Sequence, residues 1–211
     1  MQIFYHGSSV LFPKLDLSHV LEGDGKVKFG YGVYLTSSFK SAAHYSETKS
    51  RPATSHYVYT VEIPDLTDDN HIDFKKPVHP DIVKRAEEQL IQLEIASRNL
   101  ENVSEAGARS RSENYRPSIP EKFTLDGKDF RKYIAKQLGG GTDPQSEKLA
   151  SEFLNKIGVE FITWPYSWKN PDLGLNVAVL DDYKVKIINI HQVELDHKKQ
   201  LIPGSEKAIS L

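Results

Sequence analysis

The chain contains no cysteine, which excludes a disulfide framework, a thiol nucleophile and cysteine-ligated zinc. Long apolar runs are also missing. None approaches the roughly 20 residues that cross a bilayer as a helix, and the opening MQIFYHGSS has neither the basic start nor the apolar stretch of a signal peptide. No membrane role is expected and a cytoplasmic setting is, although the absence of cysteine fits a secreted protein equally well. Charge of one sign is scarce as well: 27 Lys and Arg stand against 29 Asp and Glu, for a net charge of -2. A nucleic-acid partner would therefore need a local basic patch. No pair of the 8 His has HxxxH or HxH spacing near an acidic helix, so no metal site is expected.

What remains is a globular composition, 38% hydrophobic and 27% charged over 211 residues, enough for one domain with a full core. Residues 2–6 read as a strand broken by Gly7-Ser8-Ser9, and 33–35 as a second strand followed by a helix over 39–48. The alternation of HYVYTVEI predicts a strand at 56–63, ended by Pro64. Helical spacing then takes over. Ile82, Val83, Ala86, Leu90, Leu93 and Ala96 mark one face of a long helix, 123–138 reads as a second, and Asp143-Pro144 opens a third that Gly158 stops. Strands are expected again at 159–163 and, as two or one bent, over 176–190, and the tail after Pro203 is expected to be loosely held. Strands at both ends with helices inserted over about 77–158 predict a single α+β domain. Between the first two helices, Arg109, Arg111 and Arg116 surround Tyr115. This polar stretch reads either as an exposed linker or as a substrate-facing loop able to contact phosphates and stack on a base.

The most informative stretch is FGYGVYLTSSFKSAAHY, residues 29–45. Gly30 and Gly32 let the backbone pass close to a ligand. Tyr34 and Tyr45 stand eleven positions apart on what reads as strand, turn and helix. Two such rings can face a flat heterocycle from both sides, with Ser41 offering a hydroxyl to its substituent.

This segment resembles the central motif of the ADP-ribosyltransferases of the diphtheria-toxin and poly(ADP-ribose) polymerase class, FGxGxYF followed by a SxSAxY helix start. That class also carries His-Gly-Ser/Thr on an early strand, which His6-Gly7-Ser8 matches. The resemblance covers roughly the first 65 and the last 60 residues. It implies two small antiparallel sheets clamping an NAD+ cleft, with no metal. His6 would hold the adenine-side ribose, Gly7 would offer backbone groups to the nicotinamide carboxamide, Ser8 would bind the cofactor as well, and Gly32 would shape the wall. Ser41 would bind the nicotinamide carboxamide between Tyr34 and Tyr45.

The third family motif, ExxVxD on a late strand, aligns with Asn176, Val177, Ala178, Val179, Leu180 and Asp181. Asparagine thus stands where the family has its catalytic glutamate, giving His6, Tyr34 and Asn176 as the catalytic set. Cleaving the nicotinamide–ribose bond builds positive charge on the sugar, as glycoside hydrolysis does. A carboxylate there supplies several kcal/mol of electrostatic help; an amide keeps one hydrogen bond and loses the charge. Class members without the glutamate generally attach single ADP-ribose units, and some are inactive. The resemblance therefore implies mono-ADP-ribosyl transfer to a protein, RNA or DNA acceptor, in a toxin, toxin-antitoxin or phage-defence setting with an antitoxin protein as a further partner. The alternatives are NAD+ hydrolysis and a catalytically inactive NAD+- or ADP-ribose-binding module. Asp181, Glu194 or a carboxylate of the acceptor could replace the missing one.

Overall fold

The computed structural model describes residues 1–20, 27–47, 54–104, 126–141 and 143–210, and of 95–104 the backbone alone. The Arg109, Arg111, Tyr115 and Arg116 cluster, residues 123–125 and the end of the helix expected over 39–48 lie outside the described residues. Strand β1 (Gln2–Ser8) is followed by β2 (Val33–Thr36), helix α1 (Phe39–Tyr45), β3 (His56–Ile63) and the short β4 (His71–Asp73). Three helices come next: α2 (Pro80–Ser104), α3 (Gly127–Gln137) and α4 (Pro144–Lys156). Then β5 (Phe161–Pro165), β6 (Leu175–Val179), β7 (Lys186–Val193) and β8 (Lys207–Ile209) complete the order.

Helix starts follow from local chemistry. Ser38 accepts the Ser41 N–H, Asp126 that of Asp129, and Asp143 those of Gln145 and Ser146, each satisfying amide groups that a helix leaves unpaired. Pro144 suits the first turn of α4 because its missing N–H would have no partner there. Along α2, Ile82, Ala86 and Leu90 are buried at helical spacing and join Phe130, Ile134, Ala150 and Leu154 of α3 and α4 in one cluster.

The expected pair of small sheets is replaced by one eight-stranded mixed sheet in the order β4-β5-β6-β2-β1-β3-β7-β8, in which β4 and β5 alone run parallel. The reason is local. Strands β1 and β2 meet at a single pair, Tyr5 opposite Thr36, which joins two four-stranded halves into one continuous sheet. By contrast β1 and β3 pair along seven positions, from Gln2–Ile63 to Ser8–Tyr57. That long ladder carries β1 through Gly7 and Ser8, where a break was expected. The tail is also held: Ala208 pairs with His191 and makes β8 an edge strand.

Alternation assigns the faces. One face of both halves builds a common core from Phe4, Leu35, Tyr59, Val61, Phe161, Val177 and Val179. The other face is covered in two parts. Helix α1 packs its Ala42 and Ala43 on Val58 and Val193, while α2, α3 and α4 cover Ile72, Ile162, Trp164 and Ala178. Fully burying side chains of this size contributes roughly 1.5–3 kcal/mol each. Between the two covers lies the β1–β2 seam. Among the described residues no helix is long and apolar enough to cross a membrane.

Helix α1 sits directly on Gly7: a β-carbon there would lie 1.8 Å from the Ala42 carbonyl oxygen and 2.9 Å from the Ser46 nitrogen. Both obstacles are backbone, so neither can swing aside. We expect Gly7→Ala to cost about 3 kcal/mol, at the upper end of overpacking penalties. Urea unfolding of the variant against the parent chain measures this, and an unchanged midpoint would show that α1 is not seated on β1.

Candidate functional site at the seam of the sheet

The three sequence motifs converge where β1 and β2 part. His6 follows the single joining pair, and its Nδ1 lies 2.8 Å from the Tyr34 main-chain oxygen. A carbonyl only accepts, so Nδ1 carries the proton and Nε2 keeps its lone pair in the neutral ring. Burial pushes the His6 pKa below its ordinary 6.5, and the Tyr34 carbonyl opposes that in part. The imidazole also meets the Tyr59 ring edge-on at 6.0 Å.

Tyr34 and Asn176 share one face. Tyr34 pairs with Ala178, and Thr36 with Asn176. Because alternate residues point the same way, Asn176 lies diagonally across the ladder from Tyr34, within reach of long side chains. Asn176 is only 6% exposed. Trp164 is its opposite number on β5 and meets the Tyr34 ring edge-on at 5.4 Å. Ser37 secures this corner: its N–H donates to the Leu175 carbonyl, and its hydroxyl accepts the Leu175 N–H at 2.9 Å.

The Tyr34 phenol is fixed at both lone pair and proton. Its oxygen accepts the Phe29 N–H at 3.0 Å and its hydroxyl donates to the Gly30 carbonyl at 3.0 Å. The turn depends on Gly30 at φ 111°, a conformation that residues with a β-carbon rarely adopt. Burial raises the Tyr34 pKa to about 12, so the ring is a neutral surface and a donor and does not act as a base. Phe29 continues the aromatic layer, stacked on Trp164 at 4.1 Å with the planes 4° apart. Gly32 lies against the Val179 carbonyl.

The remaining predicted residues are placed by α1. Gly7 is under its backbone, and Ser41 is buried in its first turn, 8% exposed. Tyr45 ends the helix 56% exposed and contacts the His44 ring at 5.9 Å. Its pKa is raised by burial and, secondarily, by the nearby Tyr166 phenol. Tyr34 and Tyr45 therefore have different ring partners and do not stack on each other. Ser8 lies on β1 opposite Tyr57. Neither alternative carboxylate joins this corner. Asp181 caps the turn beyond the far end of β6, and Glu194 follows β7, which is four positions from β6 in the sheet.

Sequence reasoning missed Trp164 and Arg131, and it gave Phe29 and Thr36, both inside the highlighted stretch, no role of their own at the site. Thr36 was available from period-two spacing after Tyr34. Trp164 was obscured by ending β5 two residues early, at Thr163. Arg131 occupies the buried face of α3 with Ile134 and Ala135, so a lone cation at apolar spacing was the signal. Elsewhere, Asp69, His79 and Asp81 present ligand atoms within 4.8 Å of one another, largely in solvent. A cavity of about 280 Å³ is lined by Leu17, Ser18, Tyr31, Lys148, Ser151, Glu152 and Leu180, none of them a predicted site residue. Comparison with known proteins finds no matching family model, no matching curated protein and no matching solved structure.

The His6 shift has a pH consequence. Its folded pKa is depressed below 6.5, so the unfolded chain binds the proton more readily. The associated stability is complete above the unfolded pKa and is lost as pH falls through the folded value. Between about pH 7.5 and about pH 5, the parent chain should lose more stability than His6→Gln, read as the difference in urea midpoints. Parallel pH curves would count against a neutral, buried His6.

Proposed function

We propose that this chain is an enzyme acting on NAD+, cleaving the bond between nicotinamide and its ribose. More particularly, we propose a mono-ADP-ribosyltransferase with the ADP-ribosyltransferase fold, acting on a macromolecular acceptor as a toxin or defence effector. The supporting observation is that, where two sheet halves separate, His6 bonds the Tyr34 main chain from the Phe4 and Tyr59 face while Asn176 lies diagonally across the ladder from Tyr34 on the other face.

In this reading the Tyr34 ring supports one face of nicotinamide, with Tyr45 free to close on the other. The neutral His6 Nε2 accepts a ribose hydroxyl. Nicotinamide departs with the electron pair of the glycosidic bond, which neutralises its pyridinium nitrogen, and the ribose becomes oxocarbenium-like. The acceptor nucleophile then bonds to the anomeric carbon and loses its proton. Asn176 holds the 2'-hydroxyl through its amide oxygen without countering the charge, which favours a single transfer over chain growth. The same residue favours the second reading, a binding module without turnover.

Both tryptophans lie close to the site: Trp164 contacts Tyr34, and Trp168 is 6.1 Å from Phe74 in the same aromatic layer. Tryptophan emission should therefore report NAD+ binding independently of turnover. Labelled NAD+ incubated with separate protein, RNA and DNA pools should mark one pool and release nicotinamide. Tyr34→Ala should lower that release at least about tenfold, the order expected from losing an aromatic platform. Free ADP-ribose formed at full rate without acceptor would indicate hydrolysis. Binding with no product would indicate the module, and Asn176→Glu then tests whether a carboxylate restores chemistry. No emission change and no product would end the NAD+ reading.

A further inference from the structure

The helical segment carries no family resemblance, yet it reaches the tyrosine through a single peptide group. Arg131 on α3 is 2% exposed, and its Nη2 donates to the Lys28 carbonyl at 2.8 Å. The N–H of that same peptide unit, Phe29 N–H, donates to Tyr34 Oη. A trans peptide is planar, with its C=O and N–H pointing in opposite directions, so fixing one end fixes the other. The hydroxyl passes the chain on to the Gly30 carbonyl. Hydrogen bonds in such a series polarise one another.

The arginine is itself held. Its Nη1 lies 2.8 Å from Glu147 Oε2 on α4, a close ionic contact without hydrogen-bond alignment. The guanidinium also sits 5.8 Å from the centre of the Phe74 ring, which packs on Phe29 at 4.7 Å. Burying this cation is costly unless it is paired, so the series from Glu147 to Gly30 needs a reason to be kept. Packing alone would be served as well by an apolar residue of similar size.

We propose that Arg131 is a positioning residue for Tyr34, acting through the Lys28–Phe29 peptide, so that α3 and α4 form part of the site. The kinetic arm of the test rests on the NAD+ reading; the structural arm does not. In the full chain, Arg131→Lys keeps the charge but loses the fork geometry. The Phe29 amide should then exchange with solvent about tenfold faster or more, the scale of one charged hydrogen bond, while amides within α3 and α4 keep their protection. Tyr34→Phe should accelerate the same amide, and the double variant should add little to either. For NAD+ consumption, Arg131→Lys should lower kcat about tenfold with a smaller change in KM.

An unchanged Phe29 exchange rate in folded Arg131→Lys would overturn the proposal and leave the NAD+ reading standing. The expected exchange changes in a chain that neither binds nor consumes NAD+ would do the reverse. Should Arg131→Lys fail to fold, Tyr34→Phe tests the series from its other end by NMR. It must shift the Arg131 guanidinium resonances, and unmoved resonances would overturn the proposal equally.

Discussion

The structure depends on how little joins β1 to β2. Two strands that pair at one position only are free to diverge on either side of it, and main-chain groups beyond the contact need other partners. Tyr34 shows the result: its carbonyl is taken up by the His6 side chain instead of by a strand. A full ladder between β1 and β2 would have left no place for that imidazole. The seam also divides the helical cover, since α1 belongs to one half of the sheet and α2, α3 and α4 to the other.

Along that line the chemistry is set by burial. Tyr34 keeps its proton because desolvation outweighs the Phe29 N–H bond to its oxygen. His6 is held neutral by the same effect. Asn176 completes a corner that holds no carboxylate among the described residues. The charges nearby, buried Arg131 and partly buried Glu147, are paired with each other. Burial pulls the arginine pKa down and the glutamate pKa up, and the partner's charge opposes each shift.

Much of the linear architecture was legible. Strand β3 was read at its observed limits because HYVYTVEI alternates and Pro64 stops it, and α4 was marked by Asp143-Pro144 at one end and Gly158 at the other. The short β4 was missed: HID has too few residues to show a period and is a strand through its parallel pairing with β5. β8 was missed for the same reason, since its three residues are ordered by β7. Gly7 and Ser8 read as a break because glycine weakens isolated strands, whereas β3 supplies enough partners to continue through them.

By itself the amino-acid order determined the α+β class and the helical insert, because periodicity and caps are local properties, while residues 6, 34 and 176 were nominated by a resemblance of motifs. Only the tertiary structure decided that the sheet is one and not two, that Tyr45 lies in solvent while Tyr34 is clamped, and that Arg131 reaches the tyrosine's peptide. Those facts depend on pairing and burial between residues far apart in the chain. Nothing in a local window records which strand is left unpaired or which charge is shut away from water.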